Sequence, residues 1–295
     1  GLSPEGTVPI AVTTITYDSL GRKLSMDDPD MGRWSYAYDA VDNLISQTDA
    51  RGVVIGFTYD ALNRLTQKAS TVPAGSGIVN PGAVTYTYDD PAVPFAKGKL
   101  TTVGDGSGSA SFEYDHLGRL VKETKTITGT PSPFILHRSY DLLGRLTSLS
   151  YPDTDAAHYT YNPQGGIETV DLQSPVSGLR SLVSDIDYNA AGQVTRIAYG
   201  NGVVTDYRYN PQTLRLDQLK TIGSSGTLQD FSYAFDPVGN VSAITDRVHT
   251  GTQSFQYDAL SRLTQAVGSY GTLGYAYDPL GNLTIEKVDE AGAPL

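Results

Sequence analysis

One short sentence is written twelve times in this chain, and that repetition limits the fold more than any other feature. "SFQYDALSRLTQ" (254–265) reappears as "GFTYDALNRLTQ" (56–67), "SFEYDHLGRLVK" (111–122), "HRSYDLLGRLTS" (137–148) and "GYAYDPLGNLTI" (274–285). The step from an aromatic residue to Asp or Asn recurs at Tyr17, Tyr38, Tyr59, Tyr88, Tyr114, Tyr140, Tyr161, Tyr188, Tyr209, Phe235, Tyr257 and Tyr277. A fixed unit of this length means many copies of one supersecondary element, each completed by its neighbours.

The unit reads as a β-hairpin. A second large apolar residue often stands two positions before the aromatic one, as at Tyr36, Phe57, Tyr86, Phe112, Tyr159, Tyr207, Tyr233, Phe255 and Tyr275. A spacing of two puts both side chains on one face of a strand. The next four residues, Asp-x-x-Gly, suit a type I turn, which favours Asp or Asn first, Pro second and Gly fourth. "DPVG" (236–239) and "DPLG" (278–281) meet all three preferences. The fourth place holds Gly21, Asp42, Asn63, Gly118, Gly144, Gly165, Gly192, Gly239, Ser261 and Gly281. Nearly all of these are residue types that enter the left-handed region at low cost. A type I turn closed by a left-handed residue is the common three-residue hairpin loop with a bulge.

This turn predicts the register. Asp18 faces Arg22, Asp60 faces Arg64, Asp115 faces Arg119, Asp141 faces Arg145 and Asp258 faces Arg262, while Tyr59 meets Leu65 and Tyr257 meets Leu263. The tyrosines are expected to pack strand on strand as a ladder. Two copies are irregular: "YDDPAVPFAKGKL" (88–100) gains an insertion, and "YNPQTLRL" (209–216) has Thr213 where Gly is expected. Return connections are short at "DARG" (49–52) and "YGNGVV" (199–204), where Asn201-Gly202 signals a tight hairpin. They are longer at 70–83, 104–109, 128–133 and 223–226.

Composition supports this reading: 20 Tyr, 31 Gly and 16 Pro stand beside 2 Met and 1 Trp. Tyr suits pleated strands, while Gly and Pro punctuate turns. The formal charge of −11 argues against nucleic acid or an anionic membrane surface as partner. Without an apolar run near 18 residues no membrane insertion is expected. Zero Cys rules out disulfides and zinc–thiolate sites. The start "GLSPEGTVPIAV" reads as a mature product or an excised fragment.

Chemical readings of the repeat fare poorly. A glycosidase needs two carboxylates flanking a sugar, but each repeat Asp already has a turn role. "DDPDMG" (27–32) lacks the calcium-loop pattern and reads as a return turn. His116, His137, His158 and His249 have no ligand-like spacing. "GDGSGS" precedes a strand, whereas a phosphate loop opens a helix. No nucleophile elbow is present. The expectation is a non-enzyme without cofactors.

The units resemble the YD-repeat, or Rhs-repeat, family, whose signature is Tyr-Asp-x-x-Gly-Arg-Leu. "YDHLGRL" (114–120) and "YDLLGRL" (140–146) match it in full, and the resemblance runs from about residue 10 to 288. It includes bacterial Rhs polymorphic toxins, the BC component of Tc toxins, and teneurins. The resemblance implies an all-β chain of tandem hairpins in one long curved antiparallel sheet, part of a spiral shell or cage. It implies a single array over residues 1–295, a fragment of a larger shell of a secreted or surface protein. The implied partners are flanking shell sequence and an enclosed toxin or effector. A glycan- or protein-binding module using exposed loops and Tyr faces is the alternative. The self-cleavage motif of bacterial relatives is not matched, because Asp236-Pro237-Val238-Gly239 and Asp278-Pro279-Leu280-Gly281 sit inside ordinary repeats. The residues carrying the structure are Tyr17, Asp18, Gly21, Tyr38, Tyr59, Asp60, Tyr114, Asp115, Gly118, Arg119, Tyr140, Asp141, Gly144, Arg145, Tyr257, Asp258, Tyr277, Asp278 and Gly281. The uncharged "IAVTTITY" (10–17) leaves the first strand open to edge-to-edge self-association, whereas Glu286, Lys287, Asp289 and Glu290 would guard the last.

Overall fold

A computed structural model describes residues 11–288, and every regular element in it is a β-strand. The chain divides into two compact units, Gly1–Thr154 and Asp155–Leu295. The first holds β1 (Thr14–Tyr17), β2 (Lys23–Asp28), β3 (Gly32–Tyr38), β4 (Leu44–Thr48), β5 (Val54–Tyr59), β6 (Leu65–Thr71), β7 (Ala83–Tyr88), β8 (Leu100–Asp105), β9 (Gly108–Tyr114), β10 (Leu120–Ile127), β11 (Phe134–Tyr140) and β12 (Leu146–Ser150). The second holds β13 (Ala156–Tyr161), β14 (Ile167–Ser174), β15 (Gly178–Tyr188), β16 (Val194–Tyr199), β17 (Val204–Tyr209), β18 (Leu216–Gly223), β19 (Gly226–Phe235), β20 (Val241–Asp246), β21 (Gly251–Tyr257), β22 (Leu263–Gly268), β23 (Gly271–Tyr277) and β24 (Leu283–Val288). Within each unit consecutive strands pair antiparallel, so each unit is a plain meander. Every odd-numbered strand ends on the repeat's aromatic residue.

The primary turns follow the local chemistry. All ten residues expected in the left-handed region occupy it, from Asn63 at φ 59° to Gly239 at φ 109°. Tyr59 pairs with Leu65 and Tyr257 with Leu263, as the turn requires. In "YNPQTLRL" the left-handed residue is Leu214, at φ 56°, and not Thr213. The loop there is one residue longer, so Tyr209 still pairs with Leu216. The return at Asn201-Gly202 is also not a two-residue turn. Only Gly202 is left-handed, and Tyr199 N–H donates to the Val203 carbonyl at 2.8 Å, so the reversal copies the three-residue primary turn. "DDPDMG" is a return turn, with Asp28 Oδ1 accepting from the N–H of Asp30 and Met31.

Beyond the bulge expected at the left-handed turn residue, a further one lies behind the aromatic and was not foreseen. In all twelve hairpins the register slips by one residue just behind the aromatic: Tyr59 faces Leu65, but Thr58 faces Gln67, leaving Thr66 as an extra residue. The same slip follows Tyr17, Tyr114 and Tyr277. Such a bulge bends the strand and raises its twist.

Each unit is one sheet layer, so its apolar side chains shelter one another. The residues at the aromatic position and two before it are half-buried in most repeats, while the residue between them is exposed, as at Thr58, Thr87 and Thr160. Full burial among the described residues is confined to small groups such as Ala110, Ala157, Ala266, Thr101 and Thr205, and to Val53.

Candidate functional site

Most repeat Asp residues saturate their carboxylate inside their own turn, whereas Asp89 pairs with Arg64 of the preceding hairpin. Asp60 Oδ1 accepts from the N–H of Leu62 and Arg64 at 2.9 and 3.0 Å, and Oδ2 accepts from Arg64 Nε at 2.7 Å. Asp18, Asp115, Asp141 and Asp258 repeat this arrangement with Arg22, Arg119, Arg145 and Arg262. Asp278 makes it with Asn282. The carboxyls of Asp18, Asp60, Asp141 and Asp258 are therefore held below the ordinary aspartate range. The first cause is the N–H of the Arg four residues on; partial desolvation acts against it, and the guanidinium adds to it.

The tyrosine acts across the boundary between hairpins. The ladder joining one hairpin to the next stops three residues short of the aromatic in most connections, for instance at Ser46–Gly56 before Tyr59 and at Ala243–Ser254 before Tyr257. The phenol bridges the opening that remains. Tyr59 Oη donates to the Leu44 carbonyl at 2.8 Å, Tyr114 to Leu100 at 2.6 Å, Tyr140 to Leu120 at 2.8 Å, and Tyr257 to Val241 at 2.9 Å. Tyr38, Tyr188, Tyr209 and Tyr277 do the same. The acceptor is each time the first residue of the preceding even-numbered strand, beside the bulge where the ladder is broken. Burial pushes the phenols of Tyr114, Tyr59 and Tyr257 up, so these donors stay protonated.

The arginine works forward in the same gap. Arg119 donates from Nη1 to the Asp141 carbonyl of the next turn at 2.9 Å, and its guanidinium lies 4.9 Å from the Tyr140 ring centroid. Arg262 repeats both contacts with Asp278 and Tyr277. Arg22 sits over Tyr38 and reaches Asp42, and Arg64 sits over Tyr88 and reaches Asp89. Phe95 and His116 meet edge to face, and along the strip rings at Tyr38, Tyr88, Tyr140, Phe235 and Tyr277 each lie under the guanidinium of the preceding turn. Where an amide replaces Arg it still bridges forward: Asn43 Nδ2 reaches Asn63 Oδ1 at 3.0 Å, and Asn240 Nδ2 reaches Ser261 Oγ at 3.3 Å.

Of the residues singled out by sequence, Tyr17, Gly21, Gly118, Gly144 and Gly281 thus hold strand-end and turn positions, and the Tyr–Asp–Arg set forms an inter-hairpin staple. The bridging amides Asn43 and Asn240 were missed. Their signal was present: each precedes a repeat whose fourth turn residue is polar and not Gly. Among the described residues no group of three or more His, Cys, Asp or Glu could hold a metal ion. His249 instead pairs with Asp246 in an exposed turn, at 2.8 Å.

Comparison with known proteins agrees with this geometry. Residues 38–76 match the RHS Repeat family model. No curated protein sequence matches the chain. The crystal structure of TcdB2-TccC3-Cdc42 is similar in fold, with a TM-score of 0.81 at 22% identity over 92% of this chain and 16% of that chain. The crystal structure of TcdB2-TccC3 scores 0.81 at 21% identity with the same coverage. The Photorhabdus luminescens Tc holotoxin pore scores 0.81 at 22% identity, over 92% of this chain and 15% of that chain. The chain therefore spans about a sixth of the length of the chains it resembles. The family model thus shows an RHS repeat at residues 38–76, and the same unit recurs twelve times along a chain that shares the fold of these structures.

Proposed function

We propose that this chain is a wall segment of a hollow β-shell in a secreted or surface-exposed toxin assembly, joined to flanking shell sequence and serving to enclose or display a toxin or effector. In this reading it has no catalysis of its own. The observation that carries it is the staple: the repeat's Tyr, Asp and Arg are used in joining hairpins, which suits a continuous wall. The likeness in fold to structures of Tc toxin components supports the same reading. A binding module for glycans or proteins would need polar groups and rings left over for a ligand.

Cryo-electron microscopy of the protein expressed from its complete reading frame tests the proposal. A closed shell with residues 14–288 in its wall and a protease-protected polypeptide inside is expected. An open strip that binds glycans on an array, with binding abolished by Tyr→Ala on one face, would overturn it in favour of adhesion.

A further inference from the structure

One hairpin has no side chain where the others place a cation or an amide. The residue just before each even-numbered strand is Arg, Lys, Asn or Gln, except ahead of β14, where it is Gly166. Arg22, Arg119, Arg215 and Arg262 each lie over the next ring. Each also donates from Nη1 to the carbonyl of the residue after that ring. The counterparts beyond Gly166 are the Tyr188 ring and the Asn189 carbonyl, and no Arg or Lys of the chain lies over that ring among the described residues.

The opening between hairpins is also wider there. The ladder joining β14 to β15 ends at Val170–Val183, five residues short of Tyr188. The ladders joining β16 to β17 and β18 to β19 end at Arg196–Asp206 and Gln218–Ser232, three residues short of the ring. A cavity of about 820 Å³ occupies the wider opening, inside the second compact unit. Tyr188, Asn189, Glu168, Asp185 and Asp187 line it, and its lining contains no Lys, Arg or His. None of the three carboxylates has a hydrogen bond or ion pair among the described residues. Arg196, opposite Asp187 in the register, reaches Asp206 at 3.9 Å. The next turn leaves the site open, because no atom lies within 4 Å of the place a Cβ on Gly192 would take. A Cβ on Gly166, by contrast, would come within 2.9 Å of Tyr188 Cε2, so the ring itself stands in the path of a side chain from that position. A cation for this ring has to arrive from outside the hairpin.

We propose that this cavity is a binding site for the guanidinium group of an arginine side chain carried by another polypeptide. The group lies against the Tyr188 ring, donates to the Asn189 carbonyl and meets the carboxylates of Glu168 and Asp185. A planar guanidinium can stack on a ring and bridge carboxylates at once, which an ammonium cannot. The chain's own arginines make the ring and carbonyl contacts at four other hairpins, so the repeat geometry sets the ligand chemistry. The proposal needs only residues 162–192 and stands whether or not the chain encloses a cargo.

The test follows amide chemical shifts of the isotope-labelled full chain as N-acetylarginine amide is added, and separately its uncharged isostere N-acetylcitrulline amide. Saturable shifts centred on Gly166, Tyr188 and Gly192 are expected with the arginine probe, and binding about fivefold or more weaker with citrulline. Glu168→Gln combined with Asp185→Asn should weaken the arginine probe by a similar factor, while amides outside the cavity keep their shifts. The probe comparison needs no variant, so it decides even if the double variant fails to fold. Equal binding of the two probes, unchanged affinity in a folded double variant, or shifts spread evenly over the acidic surface would overturn the proposal.

Discussion

At the residue scale, the glycine at the fourth turn position has up to two tasks, and substitution separates them. Gly144 has open space around it, so only its positive φ resists a side chain. Gly144→Val should destabilise by about 1–2 kcal/mol and Gly144→Asn by clearly less, because Asn tolerates the left-handed region. Gly239→Asn should cost more than Gly144→Asn, since Arg215 occupies the space. Urea denaturation of the three variants gives the order. The phenol is tested by Tyr140→Phe, which strands the Leu120 carbonyl and should cost about 1 kcal/mol. The acid limit follows from the depressed carboxyls. Their stabilising effect is complete above the ordinary aspartate value of 3.8 and is lost as pH falls through the lower folded values. For the tyrosines raised by burial, stability is complete below the ordinary value of 10.0 and declines as pH rises beyond it. A pH series of melting temperatures should therefore be flat through neutrality and fall below about pH 4 and above about pH 10.

At the element scale, the hairpin combines a turn that closes tightly with a bulge that opens the ladder toward the next hairpin. Staple and bulge belong together, because the broken rung leaves the carbonyl that the next tyrosine meets. Deleting the extra residue Thr66 would let the pairs Tyr59–Leu65 and Thr58–Gln67 follow without a slip, removing the bend that opens the ladder toward the next hairpin. The expected result is a large loss of stability, far beyond that of Thr66→Ala, read as the difference between their urea midpoints. Equal effects would show that the bulge serves no purpose in the register.

At the scale of the whole molecule, contacts run between sequence neighbours, so stability should behave as a sum of hairpin and interface contributions. Removing residues 1–30 takes away one hairpin and one interface. The remainder should keep its strand signal in circular dichroism and melt only a few degrees lower. Loss of all structure would mean that the array folds as an indivisible unit. The expected guard of the last strand by Asp289 and Glu290, and by the side chains of Glu286 and Lys287, lies outside the described residues.

Sequence alone determined the hairpin, its turn, its strand face and the pairing of Tyr59 with Leu65, because turn chemistry and side-chain alternation act within about ten residues. It also carried the Asp–Arg pair, four residues apart. Only the tertiary structure decided what the tyrosine hydroxyl and the forward arm of the arginine do. Their partners lie 15 residues away for Tyr59 and Leu44, and 22 for Arg119 and Asp141. No propensity reports a contact that forms only once two hairpins lie side by side. The bulge escaped for a related reason: an extra residue behind the turn changes no turn preference and shows itself only in the slip of register against the partner strand.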